Sequence, residues 1–555
     1  MPRPRLNPKS SLETARRRLF ARLFGSTLLR RVRFRRFYLG STGTALGVTM
    51  QATVAAWLMT TLTPSVFMVA LVQTANTVPS LLFGFMAGAL ADIVDRRRVV
   101  FVAQAVLFLS TLILAIATLV GVINPPAVLV LSFLIGAGFT FYIPAQQSLL
   151  NDLVPRTELP SAVALISVSF NAARAAGPAL AGALAGLLGL GYALLMAAAS
   201  FSAMLFSLRD WPAARYVATG IPETIVSGVR SGLRYTRHSP TLRALVIRNL
   251  SFSSCASALW ALFPVIAREQ LGLGAGGFGL LFACFGAGAI VGSINLPRLL
   301  RRISLNTLVN TGVLIWVVGT LLIATVPILA VAVAGTFAAG FAWVSVHASL
   351  SAGTQTSAPA WVRARAVSMS WVALQTSLAL GSVVWGALAS VSGTRVALAT
   401  SAGVALLLMV LNRRVRVTLG HESEVTAGSS LPDLTVAGEP MPDDGPVLIQ
   451  VEYRIAPSNR DAFLNAIHAL EPIRRRNGAS NWLVFRDLED DEHFIERFVV
   501  ESWAEYTRLR ARRTVSDEEI QTCVQQLQTG DAEVRISRFI RVGPSPAEPD
   551  DLTGQ

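Results

Sequence analysis

The 555 residues are 52% hydrophobic and only 15% charged, with a mean hydropathy of +0.53, too apolar for an ordinary soluble chain of this length. The formal net charge of +15 is almost wholly arginine, Lys9 being the sole lysine. Cys255, Cys284 and Cys523 lie far apart without CxxC or metal-ligand spacing, so they support neither a disulfide framework nor a zinc site and read as packing residues.

Residues 1–36 form a basic segment that does not run into a short apolar region with a small-residue cleavage site, so it does not read as a cleavable signal. A charged side chain costs about 2.5–3.5 kcal/mol at a bilayer centre, so windows lacking Asp, Glu, Lys and Arg mark membrane spans. Windows 37–91 and 99–151 are charge-free and each is split once, by TLTPS and by GVINPP; 159–208 holds only Arg174 and breaks at GLLGLGY. A span needs about 20 residues, so 37–208 predicts a bundle of six helices. A polar central loop follows at 209–248, and windows between 249 and 412 hold six more helices.

Arginines cluster at Arg96 to Arg98, Arg156, 209–248, Arg298 to Arg302, Arg363 to Arg365 and Arg413 to Arg414, whereas the alternate loops keep only Arg268 and Arg395. Arginine-rich loops stay cytoplasmic, so both termini are expected there, and the basic balance needs no nucleic-acid partner. The halves echo each other: GFMAGALADIVDRRR (84–98) pairs with GAGAIVGSINLPRLLRR (286–302), and NDLVPRTELPSAVAL (151–165) with TSAPAWVRARAVSM (356–369).

The turn after the second span carries Gly88, Asp92, Arg96 and Arg97, and span five carries Gly177, Pro178 and Gly182 in RAAGPALAGALAG. On the six-plus-six layout these features resemble the major facilitator superfamily over about residues 30–415. Four residues match its G-x-x-x-D-R-x-G-R-R/K turn, with Ile93 standing where Arg is usual and Asp95 where Gly is usual. The span-five set is similar to the antiporter signature of its exporters, and the run LVPRTELPSAVALISVSFNAARAAGPALAG resembles the transmembrane secretion effector branch. That resemblance implies alternating access in the inner membrane of a bacterium, with efflux of siderophore-like or drug-like, hydrophobic or amphipathic molecules. The turn Gly88, Asp92, Asp95, Arg96 and Arg97 would then act as a conformational latch. Gly88 would admit a neighbouring helix closely, and Asp92 would meet a helix amino terminus or the following arginines.

Arg174 is the one formal charge inside a predicted span, a functional site by default, able to meet an anionic substrate or a carboxylate such as Asp152. Gln51, Asn76, Gln146, His347 and Gln375 are further substrate or coupling candidates, and each also reads as interhelical glue. No carboxylate lies mid-span, so proton antiport is an implication of the resemblance, with Asp152 and His347 as its candidates. There is no phosphate-cradling motif for ATP use.

Residues 413–445 read as a linker, and 446–545 as a compact soluble domain with βαββαβ order, the ferredoxin-like arrangement. Ser458 is its expected first helix cap. FVVESWAEY resembles antibiotic-biosynthesis monooxygenase-like domains, which implies pairing as a homodimer. His468, Trp482, His493 and Trp503 are an alternative oxygenase or haem set, unaccompanied by a cofactor motif, so no cofactor is assigned. Two readings follow: a transporter, not an enzyme, with a dimerising or regulatory tail, and a membrane-anchored enzyme or sensor whose tail is the active part.

Overall fold

The computed structural model describes residues 27–155, 158–208, 225–420, 422–426, 428–429, 438, 440–529 and 534–542. Each predicted window folds into helix because lipid leaves backbone amides no partner except each other. Spans 1–6 are Val32–Leu62, Val66–Ile93, Arg96–Val120, Pro125–Leu153, Leu159–Leu188 and Leu190–Leu208. Spans 7–12 are Pro240–Val265, Ala275–Arg302, Leu305–Thr325, Leu329–Ser357, Ala360–Ser392 and Thr394–Leu411, with span 7 prolonged by a π-helical turn, Ile266–Gln270. All twelve are long and apolar enough to cross a membrane. An even number of crossings puts the entry of span 1 and the exit of span 12 on one side, hereafter the terminal side.

Short polar residues set the starts. Ser65, Asn124 and Ser304 cap spans 2, 4 and 9 by accepting from Met68, Ala127 and Thr307 backbone N–H groups. Asp95 does the same for span 3, accepting from Arg97 N at 3.0 Å. The turn thus forms without the expected glycine because the carboxylate there satisfies an otherwise orphaned amide.

Small residues let helices touch within the first bundle. A Cβ at Gly40, Gly43 or Gly47 of span 1 would lie 2.8 Å from Met204 Cα, 2.5 Å from Ser200 O or 2.8 Å from the Phe201 ring, all on span 6. Polar pairs fix rotation: Gln104 Nε2 donates to Thr44 at 2.7 Å, and Ser80 and Thr140 share a 2.9 Å bond.

The described residues group into two compact units. One draws on Met1–Pro222, Ile247–Leu350 and Ser370–Arg416, and the other on Glu223–Val246, Ser351–Met369 and Val417–Gln555. The central stretch read as a loop departs from that reading: helix α1, Ile225–His238, occupies much of it, and span 7 begins at Pro240, two helical turns before the predicted window.

The soluble part of the second unit runs β1 (Val447–Arg454), α2 (Arg460–Asn477), β2 (Ser480–Arg486), β3 (His493–Val500), α3 (Trp503–Ala511), α4 (Val515–Gln525) and β4 (Arg535–Ile540). Its antiparallel sheet has the order β2-β3-β1-β4, the ferredoxin-like topology. Val447, Ile449, Val451 and Tyr453 alternate inward from β1 onto Phe463, Ile467 and Leu470 of α2. Ser458 is not the cap of α2; it lies in a 3-10 turn, and Asn459 precedes the helix without a side-chain cap bond. The second helical region divides because Thr514 and Asp517 form a capping box that starts a new helix. Cys255 is buried and Cys284 half-buried, but Cys523 is exposed, so the packing reading does not hold for it.

Candidate functional site

Two seams join the six-helix bundles, and both are tight away from the terminal side. On spans 5 and 8, a Cβ at Gly182 would run into the backbone of Gly279, with Gly279 N at 2.8 Å and Ala275 O at 2.9 Å. Half-way down, Gly286 lies against Ala175, with 2.7 Å from a built Cβ to the Ala175 Cα. Continuing along the same faces at helical spacing, Asn171 and Val168 on span 5 and Ile290 and Ser293 on span 8 are exposed.

Spans 2 and 11 repeat the pattern. Gly386 packs on Ala70, Thr74 Oγ1 donates to Ala379 O at 3.1 Å, and the Gly84 position is 3.7 Å from Val372. One turn further lies Gly88, where an added Cβ would meet nothing within 4 Å among the described residues. The close approach expected at Gly88 is made by none of the described residues. On the far side the bundles touch along both seams, and towards the terminal side the described residues Val168, Asn171, Ile290 and Ser293 are exposed.

Arg174 is exposed although it lies mid-span, one residue from the Ala175 contact, and its charge is near enough to act on His347 of span 10. His347 is half-buried with Nε2 unpartnered among the described residues, and its ring stands 4.1 Å from Trp343 and 5.4 Å from Phe252. Trp343 also meets Trp260 at 5.2 Å and Trp316 at 5.8 Å. This aromatic wall was not read from the sequence; the only signal was Trp343 one turn before His347, and the other rings come from different spans.

The other candidates divide. Gln51 is fully buried, with both amide atoms unpartnered among the described residues, a cost of about 1–3 kcal/mol that marks a polar position inside the first bundle. Gln146 is glue: its Nε2 donates to Ser41 at 2.9 Å. Asn76 bonds back to Val72 O, and Gln375 is half-buried on span 11. Gly177 does not belong to the seam between bundles, because a Cβ there would strike the Thr49 side chain of span 1. Pro178 is buried within a continuous span 5. The side chains of Asp92 and Asp152 lie outside the described residues.

On the far side, Arg268 and Glu269 in the π-helical turn line a cleft of about 390 Å³ with Thr60, Thr61 and Thr63. In the soluble domain, the carboxylate of Glu496 is fully buried. It accepts from Arg474 Nε and Trp482 Nε1, both at 2.9 Å, and from Tyr453 OH at 2.9 Å. Burial pushes this carboxyl up most strongly, but the Arg474 charge together with the hydrogen bonds from Arg474, Trp482 and Tyr453 holds it below the usual range. His468 meets Trp482 edge-on, whereas His493 bonds Asp487 at 3.0 Å and Trp503 packs on Tyr506.

The sequence model of the transmembrane secretion effector family matches residues 26–545. The chain belongs to this family. It is a multi-pass membrane transporter of the major facilitator superfamily. The transporter is 24% identical to the multidrug efflux pump Tap of Mycolicibacterium fortuitum over 63% of this chain and 87% of that one. It is 26% identical to the staphyloferrin A transporter of Staphylococcus aureus over 45% and 63%. Among solved structures, a bacterial homologue of the lysosomal transporter Spinster, inward-facing and unoccupied, aligns with a TM-score of 0.58 at 16% identity over 70% of this chain and 98% of that one. The nucleoside transporter NupG aligns with a TM-score of 0.56 at 14% identity over 69% and 99%.

Proposed function

We propose that this transporter exports small hydrophobic or amphipathic molecules, drug-like or siderophore-like and carrying an acidic group, across the bacterial inner membrane. The observation that carries the reading is Arg174, an exposed cation mid-span whose charge acts on His347, itself set against Trp343 and Phe252. A guanidinium near a histidine that is packed among aromatic rings suits a molecule with an anionic end and an apolar body. The multidrug efflux pump and the staphyloferrin A transporter among its relatives support the same class.

With the arginine-rich loops on the terminal side, that side is cytoplasmic, as are both termini, and the conformation described is inward-open. The turn of Gly88, Asp92, Arg96 and Arg97 acts as a latch that engages when spans 2 and 11 close, with Asp95 serving as the cap that shapes it. Export is driven by proton antiport through His347 and Asp152. The soluble domain is non-catalytic, a reading supported by Glu496, whose hydrogen bonds are all made inside the core. Its outer sheet face, with Leu448, Leu483, Phe485, Ile495, Val499 and Phe539 in register, pairs with a second copy.

The test is uptake into inverted proteoliposomes holding the full chain under an imposed pH gradient, with dyes matched in size and differing in one carboxylate. Gradient-driven transport that prefers the acidic dyes and loses this preference in Arg174→Gln is expected. Transport indifferent to the carboxylate in both proteins would refute the Arg174 assignment, and unchanged pH-driven transport after neutralising Asp152 and His347 would refute the coupling assignment.

A further inference from the structure

Within the second unit, one surface of the soluble domain grips two other segments of the chain. Glu505 of α3 receives Arg234 Nη2 of α1 at 2.5 Å, Arg512 Nη1 at 2.9 Å and Arg508 Nη1 at 3.2 Å. The Arg512 guanidinium in turn lies 4.3 Å from the ring centroid of Trp361, at the start of span 11. Trp361 meets Tyr235 of α1 edge-on at 5.2 Å, one residue from Arg234. The contacts therefore close a circuit: Arg234, Glu505, Arg512, Trp361, Tyr235. A second carboxylate, Asp517, pairs with Arg476, whose guanidinium lies over Tyr235 at 5.5 Å.

This is a built junction rather than a surface encounter. Tyr235 is 2% exposed, Arg512 7% and Glu505 8%. Beneath it, α1 lies against the opening turns of span 11, with a built Cβ at Gly232 3.0 Å from the Arg365 Cβ and Thr236 Oγ1 3.4 Å from Met369 Sδ. Exposed ion pairs contribute little, and Arg230 with Glu501, two-thirds exposed on each side, is such a pair. Buried charges are different, because removing one partner strands the rest away from water. Such a network fixes one geometry and tolerates no slack.

We infer that this junction makes the soluble domain a brace for the cytoplasmic gate: it locks α1 and the span 10–11 turn into one block, and transport depends on the grip. Span 11 runs from that block directly into the seam where Ala379 accepts from Thr74 and Val372 lies by Gly84 of span 2. Engagement of the brace therefore favours the inward-open form seen here, and release favours closure. Anything that binds or pairs the domain would reach the gate through Glu505 and Trp361. The dependence on transport rests on the exporter reading above, whereas the grip and its effect on the gate do not.

The full chain in proteoliposomes tests this with Glu505→Arg, Arg234→Glu and the two combined. Three readings are taken: trypsin cleavage after Arg512, maleimide labelling of a Val168→Cys reporter on the exposed face of span 5, and dye transport. Each single variant should raise cleavage and lower both labelling and transport at least tenfold, and the charge-swapped pair should recover only part of the loss, since Arg508 and Arg512 still lack Glu505. Increased cleavage with unchanged labelling would overturn the brace, as would single variants that leave cleavage unchanged. Labelling that follows the expected pattern in a protein that moves none of the dyes would uphold the brace and sink the exporter reading. Glu505→Gln, closer in shape, guards against a misfolded variant, since it should weaken the grip with the soluble domain intact by Trp482 fluorescence.

Discussion

Gly182→Ala offers a sharp test of the alternating seam. The added methyl would fall on the Gly279 backbone and within 2.9 Å of Ala275 O, and neither can swing aside as a side chain would. Overpacking of this kind costs about 1–3 kcal/mol, borne only by the conformation in which spans 5 and 8 touch on the far side. The ratio of far-side-closed to far-side-open protein should then fall by about 5- to 150-fold. Val265, buried among first-bundle residues on the far side, reports this as Val265→Cys in a background with the native cysteines replaced, through its labelling by an impermeant maleimide. Gly177→Ala is the control: its clash is with the Thr49 side chain inside the first bundle, so it strains both conformations alike. Equal Val265→Cys labelling in Gly182→Ala and the parent, with full transport, would refute the assignment of this seam to the moving interface.

Other outcomes follow from the same structure. Asp92→Asn should impair transport while leaving membrane insertion intact, read by dye uptake beside the yield of folded protein; normal uptake would return the turn to a topology signal. Asp95→Ala should cost about 1 kcal/mol through loss of the span 3 cap, whereas Asp95→Asn, which can still accept from Arg97 N, should cost little, as thermal unfolding would show. Glu496 is held below its ordinary range when folded, so it stabilises the soluble domain above about pH 4.3 and that contribution drains away as pH falls further. The Trp482 emission, isolated by difference against Trp482→Phe, should change over that acid window and not between pH 5 and 8. Glu496→Gln strands the buried Arg474 and should destabilise the domain by about 3–5 kcal/mol.

Local costs were legible in the sequence. Charge-free windows announced twelve spans because a bilayer penalises each charge wherever it sits, and alternation with turn signals announced the βαββαβ order for a similarly local reason. Asp95 stood out against the expected glycine, and its role as a cap is one that a short carboxylate performs within two residues of itself. The π-helical end of span 7 and the early start of that helix carried no such mark, since polar residues at a membrane surface are compatible with loop and helix alike.

What remained hidden depends on partners distant in the chain. Gly177 and Gly182 look alike in the sequence, yet one meets span 1 of its own bundle and the other the backbone of span 8. Gln146 and Arg174 both read as cavity candidates, but a serine 105 residues away claims the first, while the charge of the second acts on His347 of another span. Glu505 gave no hint that it would gather arginines from α1 and α3 onto Trp361. The sequence determined which segments enter the membrane and which strands and helices form, because those choices are settled by each segment's own contact with lipid, water and backbone. The tertiary structure alone decided which faces close and which polar groups are satisfied, because each such contact depends on where another helix comes to rest.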